Sequence, residues 1–441
     1  MNNYFITGSK AHALRVIWSW ALYDFANSAF TTLVVTFIYA TYFTQAIASD
    51  PISGTVLWSR GITVTALVVA VCAPFLGALA DHGKFRKLFV LIATLICVIA
   101  TASLYTIEPG SVLLALGLMV VANIAFEFGG VFYNAFLPEI APLGHMGRIS
   151  GYGWGLGYIG GVAALVLALV GFVEPDTTPW LGFSKEAGEN IRATNLLVAI
   201  WFLLFSLPFM IWVKEDRARK IPIGLALGKA FLQIRKTIGQ VRRHRQIVRF
   251  LLARMIYNDG LVTIFAFGGI YAAATFGFSI QEVILFGIVL NITAGAGAFA
   301  MGHLDDHIGA KRTIVISLIG LIVASVLGVL ATTKFWFWVA GIIIGIFVGP
   351  NQSASRSLMG RFIPPGAENE FFGFYAFSGK LTAFLGPFLL GVLTQMSGSQ
   401  RAGVAVVVFM FIVGLGLLAF VDEKEGIKSA GNMQHRQSSS V

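Results

Sequence analysis

The sequence predicts an all-α integral membrane protein whose twelve transmembrane helices form two pseudo-symmetric six-helix bundles. The first observation is composition: 57% of the 441 residues are hydrophobic and 12% are charged, against roughly 25% charged in soluble domains. The second is a series of apolar segments, each long enough to cross a bilayer. The third is an internal repeat, in which short motifs of the first half return in the second.

Twelve apolar segments are predicted to span the membrane, and charged or turn-forming residues separate them. A helix needs about 20 apolar residues to cross the roughly 30 Å hydrocarbon core. The first segment extends well past the length of a signal-peptide core, so we expect it to be retained. The predicted spans are 17–46, 57–80, 87–107, 111–137, 149–173, 193–213, 247–274, 280–302, 312–332, 335–360, 370–396 and 402–422.

The distribution of Lys and Arg predicts the orientation. Most of the 31 basic residues fall in loops on the side of the two termini, and such loops face the cytoplasm. We therefore expect a multi-pass protein of the inner cell membrane with both termini cytoplasmic. Its predicted parts are an N-terminal bundle (1–213), a basic cytoplasmic linker (214–246), a C-terminal bundle (247–423) and a disordered cytoplasmic tail (424–441).

The linker contains the longest basic segment, 222–246. Its apolar residues recur at helical spacing, and its Lys and Arg residues lie largely off that stripe, as in helices that rest on anionic lipid. We expect an interfacial helix bound to anionic lipids of the inner leaflet, with a solvated linker helix as the alternative. The net charge of +10 then reflects topology, and nucleic acid is not an expected partner.

A loop motif of glycine, aspartate and paired basic residues follows span 2 and returns after span 8, 225 residues later. The glycines permit close helix approach, and an aspartate at a helix C-terminus needs a base or another helix's N-terminus. We expect the motif to gate one face, through the basic pairs and the start of span 11, with a static helix cap as the alternative. Its residues are Gly77, Asp81, Arg86, Lys87, Gly302, Asp306, Lys311 and Arg312.

These motifs carry a resemblance to a known family. The loop motif in both halves of a twelve-span chain is similar to that of the major facilitator superfamily. The stretches "WALYDFANSAF", "FYNAFLPEIA", "GYGWGLGYIGG", "ARMIYNDGL" and "SASRSLMGRFIPPGAENEFFGFYAFSGK" resemble its autophagy-related vacuole effluxer family. The resemblance covers nearly the whole chain and implies the major facilitator fold. Fungal members export amino acids from the vacuole, which implies an amino acid or related metabolite as substrate.

Polar residues within the spans mark the predicted site. A charged residue deep in a membrane is costly and by default faces the bundle interior or a wet cavity. Such residues concentrate in spans 1, 4, 7, 10 and 11, and spans 1, 4, 7 and 10 line the central cavity in the superfamily. Arg254 and Arg356 lie nearer the cytoplasm as gate or topology residues. The predicted substrate or coupling residues are Asp24, Asn27, Glu127, Asn134, Tyr257, Asp259, Asn351, Gln352 and Lys380.

This pattern predicts a secondary active transporter, a monomer that moves a small solute by alternating access. Desolvation favours the protonated form of a carboxylate such as Asp24 or Glu127, so a proton is the expected coupling ion, with sodium as the alternative. Lys380 either grips a substrate carboxylate or serves as a structural counter-ion. The alternative function is a non-transporting membrane protein, a sensor or an intramembrane enzyme on a carrier scaffold.

No enzymatic activity, cofactor or metal is predicted. All seven histidines lie outside the span cores, and the sequence contains neither H-E-x-x-H nor the phosphate-binding G-x-x-x-x-G-K-[ST]. His303 and His307 are spaced to share a helix face beside two acids, but the loop motif already accounts for those acids. Cys72 and Cys97 both lie in apolar segments, so no disulfide is expected.

Overall fold

The computed structural model describes residues 10–142, 144–174, 178–215, 223–239 and 244–438. Within these ranges, twelve helices are long and apolar enough to cross a membrane, which confirms the predicted fold class. Spans 1 to 12 are His12–Ile47, Pro51–Gly83, Arg86–Thr106, Val112–Ile140, Met146–Val173, Glu186–Trp212, Arg245–Phe276, Gln281–Ile308, Ala310–Leu330, Lys334–Phe362, Glu368–Ser397 and Gln400–Ala419.

The two sets of six spans meet through equivalent surfaces. Spans 1–6 precede a linker helix, Ile223–Gly239, and spans 7–12 follow it. Span 2 packs on span 11, and span 5 packs on span 8. These two contacts are repeat equivalents, because spans 8 and 11 of the second half correspond to spans 2 and 5 of the first. The end of the bundles that holds the linker helix is called the linker side, and the other end the opposite side.

Glycines bring the spans of the two halves into backbone contact. A Cβ atom on Gly151 of span 5 would lie 2.5 Å from the carbonyl oxygen of Ala298 in span 8. A Cβ atom on Gly373 of span 11 would lie 2.5 Å from the carbonyl oxygen of Ala73 in span 2. Membrane helices associate through such close packing, because lipid provides no hydrophobic drive for it.

Several spans depart from a continuous α-helix, among them spans 11 and 1. Span 11 consists of Glu368–Lys380 and Leu385–Ser397, separated by a turn at 381–384. Span 1 is α-helical over Lys10–Ala29 and continues as a π-helix over Phe30–Phe37. Interrupted backbone within a membrane is tolerated where it is buried in protein or lines a cavity. The break in span 11 is therefore a position at which a functional site is expected.

The tail was expected to be disordered, but the structure is helical over Glu423–Ser438. Glu423 accepts hydrogen bonds from the backbone N–H groups of Ala310 and Lys311, both at 3.0 Å, and thereby caps span 9. Glu215, at the end of the first half, caps span 3 in the same way. A carboxylate is stabilising at a helix N-terminus, and this contact of Glu423 holds the start of the tail helix against span 9.

The linker helix lies against the end of span 2. Ala226 and Ala230 are buried in a cluster with Ala78 and Leu79. Its outer surface exposes the apolar side chains of Leu225, Leu227, Phe231, Leu232 and Ile238. Of the predicted basic segment 222–246, residues 222 and 240–243 lie outside the described residues.

Candidate functional site

Arg356 of span 10 is the centre of a polar cluster that joins the two halves. Its Nη1 atom donates to Asp24 Oδ2 at 2.8 Å and to Asn134 Oδ1 at 3.2 Å. Its Nε and Nη2 atoms donate to the hydroxyl and carbonyl oxygens of Ser150, at 2.9 and 2.7 Å. The guanidinium carbon lies 4.8 Å from the ring centroid of Trp20. Two predicted residues are thus brought together by an arginine that the sequence indicated only as a gate or topology residue.

The Arg356 cluster is buried and fully hydrogen-bonded at its centre. The arginine side chain is 3% exposed and that of Asp24 is 15% exposed. Gly153 of span 5 provides the room, since a Cβ atom there would lie 2.5 Å from Asp24 Oδ2 and 2.6 Å from Arg356 Nη2. A buried ion pair is stable only when further hydrogen bonds satisfy its remaining donors and acceptors, and the Ser150 and Asn134 contacts do so here.

A second ion pair between the halves joins Glu127 of span 4 to Lys380 of span 11. The Lys380 Nζ atom donates to Glu127 Oε1 at 2.6 Å. The two side chains remain 31% and 20% exposed, so this pair is accessible where the Arg356 pair is not. Lys380 is the last residue before the break in span 11. The structure therefore brings two predicted residues together as an accessible pair of opposite charges.

Gln352 and Tyr257 make further polar contacts on either side of span 10. Gln352 Oε1 accepts a hydrogen bond from the hydroxyl group of Tyr158 in span 5, which is another contact between the halves. The Tyr257 hydroxyl lies 2.8 Å from Ser355 Oγ, within the second half. Tyr257 therefore supports span 10, and Gln352 faces the partner bundle.

Asn351, Asn27 and Asp259 lie outside the two ion pairs. Asn351 has no exposed surface, and its Nδ2 atom donates to Ser317 Oγ of span 9 at 3.0 Å, so it faces away from the other half. Asn27 is 9% exposed, one turn from Asp24. Asp259 is 1% exposed, and its Oδ2 atom accepts the backbone N–H of Gly386 at 2.9 Å, just after the break in span 11.

The first loop motif closes the linker side against span 11. Asp81 accepts hydrogen bonds from the backbone N–H groups of Asn369 at 3.1 Å and Glu370 at 2.9 Å. Gly77 permits this approach, because a Cβ atom there would lie 2.5 Å from the carbonyl carbon of Asn369. The carboxylate therefore meets the positive end of a helix in the other half.

The second loop motif repeats the arrangement against span 5. Asp306 accepts hydrogen bonds from the backbone N–H groups of Gly147 at 2.8 Å and Arg148 at 3.3 Å. Gly302 lies at the contact, where a Cβ atom would be 3.0 Å from the carbonyl oxygen of Gly147. Each aspartate thus caps the equivalent helix of the opposite half. The same kind of contact therefore closes the linker side at two places related by the repeat.

Arg86 adds a third link across the linker side. Its guanidinium group lies 2.7 Å from Glu139 of its own half and 3.3 Å from Glu368 of the other half. Asp81, its expected partner, is farther away at 3.9 Å. Because Arg86 is itself buried, it is held by several carboxylates at once and depends on the closed arrangement.

The other basic residues of the motifs act within their own halves or face outward. The Nζ atoms of Lys87 and Lys311 donate to the carbonyl oxygens of Val213 and Val421, each at 2.5 Å. Arg312 is exposed. These side chains therefore fix the helix ends of each bundle and do not bridge the halves.

Sequence reasoning missed Glu139, Arg148 and Arg361 as parts of the closure. The Nε atom of Arg148 donates to Asp306 at 2.7 Å, and Arg361 Nη2 donates to Asp305 at 2.6 Å. The internal repeat could have revealed these residues, because an offset of 222 residues relates position 139 to 361 and positions 147–148 to 369–370. Extending the repeat beyond its glycines would have paired each aspartate with the opposing helix start.

A cavity of about 720 Å³ lies between the halves toward the opposite side. Its lining comes mainly from spans 1, 2, 7, 8 and 10 and includes Thr36, Thr41, Thr263 and Asn291. The expected contribution from span 4 is missing from this lining, and none of the nine predicted substrate or coupling residues belongs to it. The reason is depth: the predicted residues lie closer to the sealed linker side.

His303, near the second loop motif, is engaged in hydrogen bonds. His303 Nδ1 donates to the carbonyl oxygen of Phe299 at 3.0 Å, and its Nε2 atom lies 3.2 Å from the Tyr152 hydroxyl. Across the residues that the structure describes, no group of three or more His, Cys, Asp or Glu side chains could hold a metal ion.

Comparison with known proteins identifies the family. The model of the family described as "Vacuole effluxer Atg22 like" matches residues 51–431. The chain belongs to the vacuole effluxer Atg22-like family. This chain is similar to the uncharacterized MFS-type transporter YxiO of Bacillus subtilis (strain 168). The two are 28% identical, and the match covers 92% of this chain and 94% of the relative. Autophagy-related protein 22 of Coccidioides immitis (strain RS) is 24% identical over 83% of this chain and 72% of its own.

Solved structures show that this Atg22-like chain has the major facilitator fold. The proton:xylose symporter XylE superposes with a TM-score of 0.72 at 13% identity, covering 94% of this chain and 97% of the symporter. A bacterial homologue of the iron transporter ferroportin, in an outward-facing state, gives a TM-score of 0.68 at 12% identity, covering 92% and 98%. The resemblance noted from the sequence motifs is confirmed.

Proposed function

We propose that this Atg22-like protein is a secondary active transporter that moves a small solute by alternating access. One observation carries the proposal: helix caps and ion pairs seal the halves on the linker side, while a cavity of about 720 Å³ lies between them on the opposite side. Two repeated bundles that meet at such an interface can rock and expose a central site to each side in turn. The MFS-type transporter relative from Bacillus subtilis supports this assignment.

In the proposed orientation the linker side faces the cytoplasm and the cavity faces the outside of the inner cell membrane. Lys and Arg concentrate in the loops of the linker side, as the positive-inside rule requires of cytoplasmic loops. Twelve spans place both termini on that side. The transporter is proposed to act as a monomer, since each chain contains both halves of the interface.

The proposed substrate is an amino acid or a related metabolite. The accessible pair of Glu127 and Lys380 offers one group for an ammonium and one for a carboxylate. A zwitterionic solute would replace the contact between the two side chains with one contact to each. Relatives named autophagy-related protein 22 occur in several fungi, and the substrate class implied by the family resemblance is the same.

The proposed coupling ion is a proton that loads on Glu127 or Asp24. Protonation of either carboxylate removes one charge from a pair that spans the halves, so proton binding would weaken the closure of the linker side. The pair of Glu127 and Lys380 is the more accessible of the two, so Glu127 is the first candidate for the proton-binding residue. Sodium is the alternative coupling ion. A structural neighbour, the proton:xylose symporter XylE, supports the proton.

Anionic lipids of the inner leaflet are the proposed partners of the linker helix. Its described outer surface combines exposed apolar side chains with Lys229, Arg235 and Lys236. Helices of this composition bury their apolar side chains among lipid head groups and attract anionic lipid with their cations.

Counterflow in proteoliposomes tests the transport function. The purified protein is reconstituted with a high internal concentration of each candidate amino acid, sugar or peptide, and entry of the labelled solute is measured with and without a pH gradient. We expect transient accumulation of one class of amino acid. Counterflow of none of these solutes would favour a sensor or an intramembrane enzyme and contradict the proposal.

A further inference from the structure

Spans 2 and 11 pack together on the linker side and separate toward the opposite side. Span 2 packs along Glu368–Lys380, the first half of span 11, and scarcely contacts Leu385–Ser397, the second half. A Cβ atom on Gly373, in the first half, would lie 2.5 Å from the carbonyl oxygen of Ala73. A Cβ atom on Gly391, in the second half, would meet no neighbouring atom within 4 Å. The two spans therefore diverge at the turn in span 11 and leave a gap between them.

One side of span 2 is covered by span 11 along only part of its length. Pro74 and Gly77 lie on this side and are buried against the first half of span 11. Toward the opposite side, helical spacing continues the same side through Thr55, Ser59 and Thr63, and all three residues are exposed. The uncovered side of a largely apolar span thus carries a row of hydroxyl groups beside the gap.

The cavity of about 720 Å³ reaches this gap. Thr55 and Ser59 of span 2 and Leu390 of the second half of span 11 all belong to its lining. The aromatic residues of the lining include Trp58, Phe278, Phe286 and Phe337. Cavities of this size and apolar character are typical of sites that bury a small ligand. A hydrocarbon chain of the adjoining bilayer can therefore pass between the two spans into an apolar cavity.

Arg60 lies beside the gap and is a free cation. It follows Ser59 in span 2 and is exposed, and its side chain forms no hydrogen bond or ion pair with the residues that the structure describes. Three other cations on the opposite side do have partners, namely Arg192, Lys334 and Arg401. An arginine in a span can lay its stem along apolar surface and hold its guanidinium among the lipid head groups. Arg60 is therefore available to a lipid phosphate.

We propose that an anionic phospholipid of the outer leaflet binds in this gap. The lipid phosphate binds the Arg60 guanidinium, whose paired N–H donors match phosphate oxygens. One acyl chain passes Thr55 and Ser59 and enters the cavity. A cation beside an apolar cavity favours a lipid over a water-soluble anion, which would leave the apolar lining without a partner. The leaflet follows from the proposed orientation, and the binding itself does not depend on solute transport.

Cysteine labelling at the gap tests the site. Ser59→Cys is introduced into the full-length protein with Cys72→Ser and Cys97→Ser, and reaction with a maleimide is followed in detergent. Dioleoylphosphatidylglycerol or dioleoylphosphatidylcholine is added over a range of mole fractions. A lipid bound at Arg60 covers position 59, so both lipids should slow labelling. We expect phosphatidylglycerol to act at an about fivefold lower mole fraction, as one basic residue at an anionic head group implies.

Two controls show whether the effect belongs to this site. Arg60→Gln should abolish the preference for phosphatidylglycerol, whereas Lys334→Gln, which removes an exposed cation on the same side, should keep it. Val71→Cys moves the reporter to the exposed outer surface of span 2, where the two lipids should have equal effects. Because Ser59, Arg60 and Val71 are exposed, these variants should melt as their parent does.

Three results would overturn the lipid site. They are equal protection of position 59 by the two lipids, the same preference at position 71 as at position 59, and a preference that survives Arg60→Gln. Protection by soluble glycerol phosphate as strong as that by phosphatidylglycerol would assign a water-soluble anion and also contradict the proposal. None of these results bears on counterflow, and counterflow of none of the tested solutes would leave the lipid site intact.

Discussion

At the level of single residues, the two ion pairs between the halves differ in burial and in chemistry. Arg356 presents its planar guanidinium to Asp24, Asn134 and Ser150 and is 3% exposed. Such a fork suits a fixed, buried junction. Lys380 makes one short contact to Glu127 and remains 31% exposed. A single flexible ammonium can leave its partner readily, so the Lys380 pair is the better candidate for a contact that breaks during each cycle.

Lys380→Gln is predicted to destabilise the protein and to weaken binding of a carboxylate-bearing substrate. Removal of the lysine leaves the partly exposed Glu127 carboxylate without its partner, at a cost of about 1 kcal/mol, the low end of the range for an unsatisfied group. Thermal unfolding and the half-saturating concentration in counterflow measure the two effects.

The double variant with Glu127→Gln separates the roles of Lys380. If the lysine is a counter-ion alone, the second change restores the melting temperature and affinity together. If it grips substrate, the melting temperature recovers and the affinity does not. Normal melting and normal affinity in Lys380→Gln would contradict both interpretations.

At the level of helices, the closure depends on helix ends. Asp81 and Asp306 each bind two backbone N–H groups at the start of a helix in the other half. An amide in place of either carboxylate removes the charge and turns one acceptor into a donor. Each contact is worth up to about 2 kcal/mol in a partly buried geometry, so it can shift the balance between two closed states.

Asp81→Asn and Asp306→Asn are predicted to open the linker side without unfolding the protein. In a background with Cys72 and Cys97 replaced by serine, a cysteine at the buried Ser353 reports linker-side access, and one at Thr41 reports cavity access. We expect labelling at 353 to rise about 5- to 30-fold, as 1–2 kcal/mol implies, and labelling at 41 to fall.

Asp50→Asn is the matched control for this experiment. Asp50 also caps a helix, through the N–H groups of Ile52 and Ser53 at 3.0 Å, but within one half and on the opposite side. It should leave both labelling rates unchanged. The same null result in the Asp81 and Asp306 variants would leave only the static-cap interpretation.

The linker helix connects the closure to the membrane surface. The side chains of Gln233 and Thr237 lie near the Glu370 carboxylate of span 11, and the N–H of Glu370 donates a hydrogen bond to Asp81. The helix therefore contacts the N-terminal half through span 2 and the C-terminal half through span 11. Lipid bound to its outer surface would hold both sides of the closed interface.

Removal of two cations from the linker helix is predicted to reduce stabilisation by anionic lipid. Each basic residue near an anionic surface contributes about 1 kcal/mol, so Arg235→Gln with Lys236→Gln should lose about 2 kcal/mol of lipid-dependent stabilisation. The measurement is the melting temperature with added phosphatidylglycerol. Lys424→Gln with Lys428→Gln in the tail helix removes the same charge and should behave as wild type; equal loss in both pairs would indicate a charge effect without a lipid site.

At the level of the whole molecule, one side is sealed by charge and the other is lined by mostly apolar residues with a few hydroxyl groups. The sealed side carries the repeated loop motifs, the Arg86 link and the two ion pairs. The cavity carries Thr36, Thr41 and their neighbours. To open the sealed side and close the cavity, the protein must break several charged contacts together. Protonation of a carboxylate in one of these contacts would weaken it and so favour that opening.

Proton-driven accumulation is predicted to depend on Asp24 and Glu127. Once counterflow has identified the solute, its accumulation under an imposed pH gradient is measured in the Asp24→Asn and Glu127→Gln double variant. We expect at least about tenfold less accumulation than in the wild type, because neither position then carries a carboxylate that can gain a proton. Exchange without a gradient should persist with weaker substrate binding, because Glu127 is also the proposed partner of the substrate ammonium. Glu282→Gln, in an exposed pair with Lys334, is the control, and accumulation by the double variant would disprove the assignment.

Local properties of the chain were enough to predict much of this protein. Apolar segment length predicted the twelve spans, because the bilayer thickness fixes the length of a crossing helix. The repeat predicted two equivalent bundles, and the cost of a charge deep in a span marked Asp24 as a residue that faces the protein interior. A polar residue within a span does not by itself show which neighbouring helix it faces, and Asn351, which was predicted on the same ground, hydrogen-bonds to span 9.

The sequence by itself determined the membrane fold, the span boundaries to within several residues, the repeated motifs and the residue types available for a site. Only the tertiary structure decided which charges meet, since Asp24 and Arg356 are 332 residues apart and their contact depends on how span 5 packs on span 8. It also decided that span 11 breaks after Lys380 and that Asp259 keeps an unpaired oxygen. Pairing and burial are long-range outcomes of helix packing, whereas length, composition and periodicity are written locally in the chain.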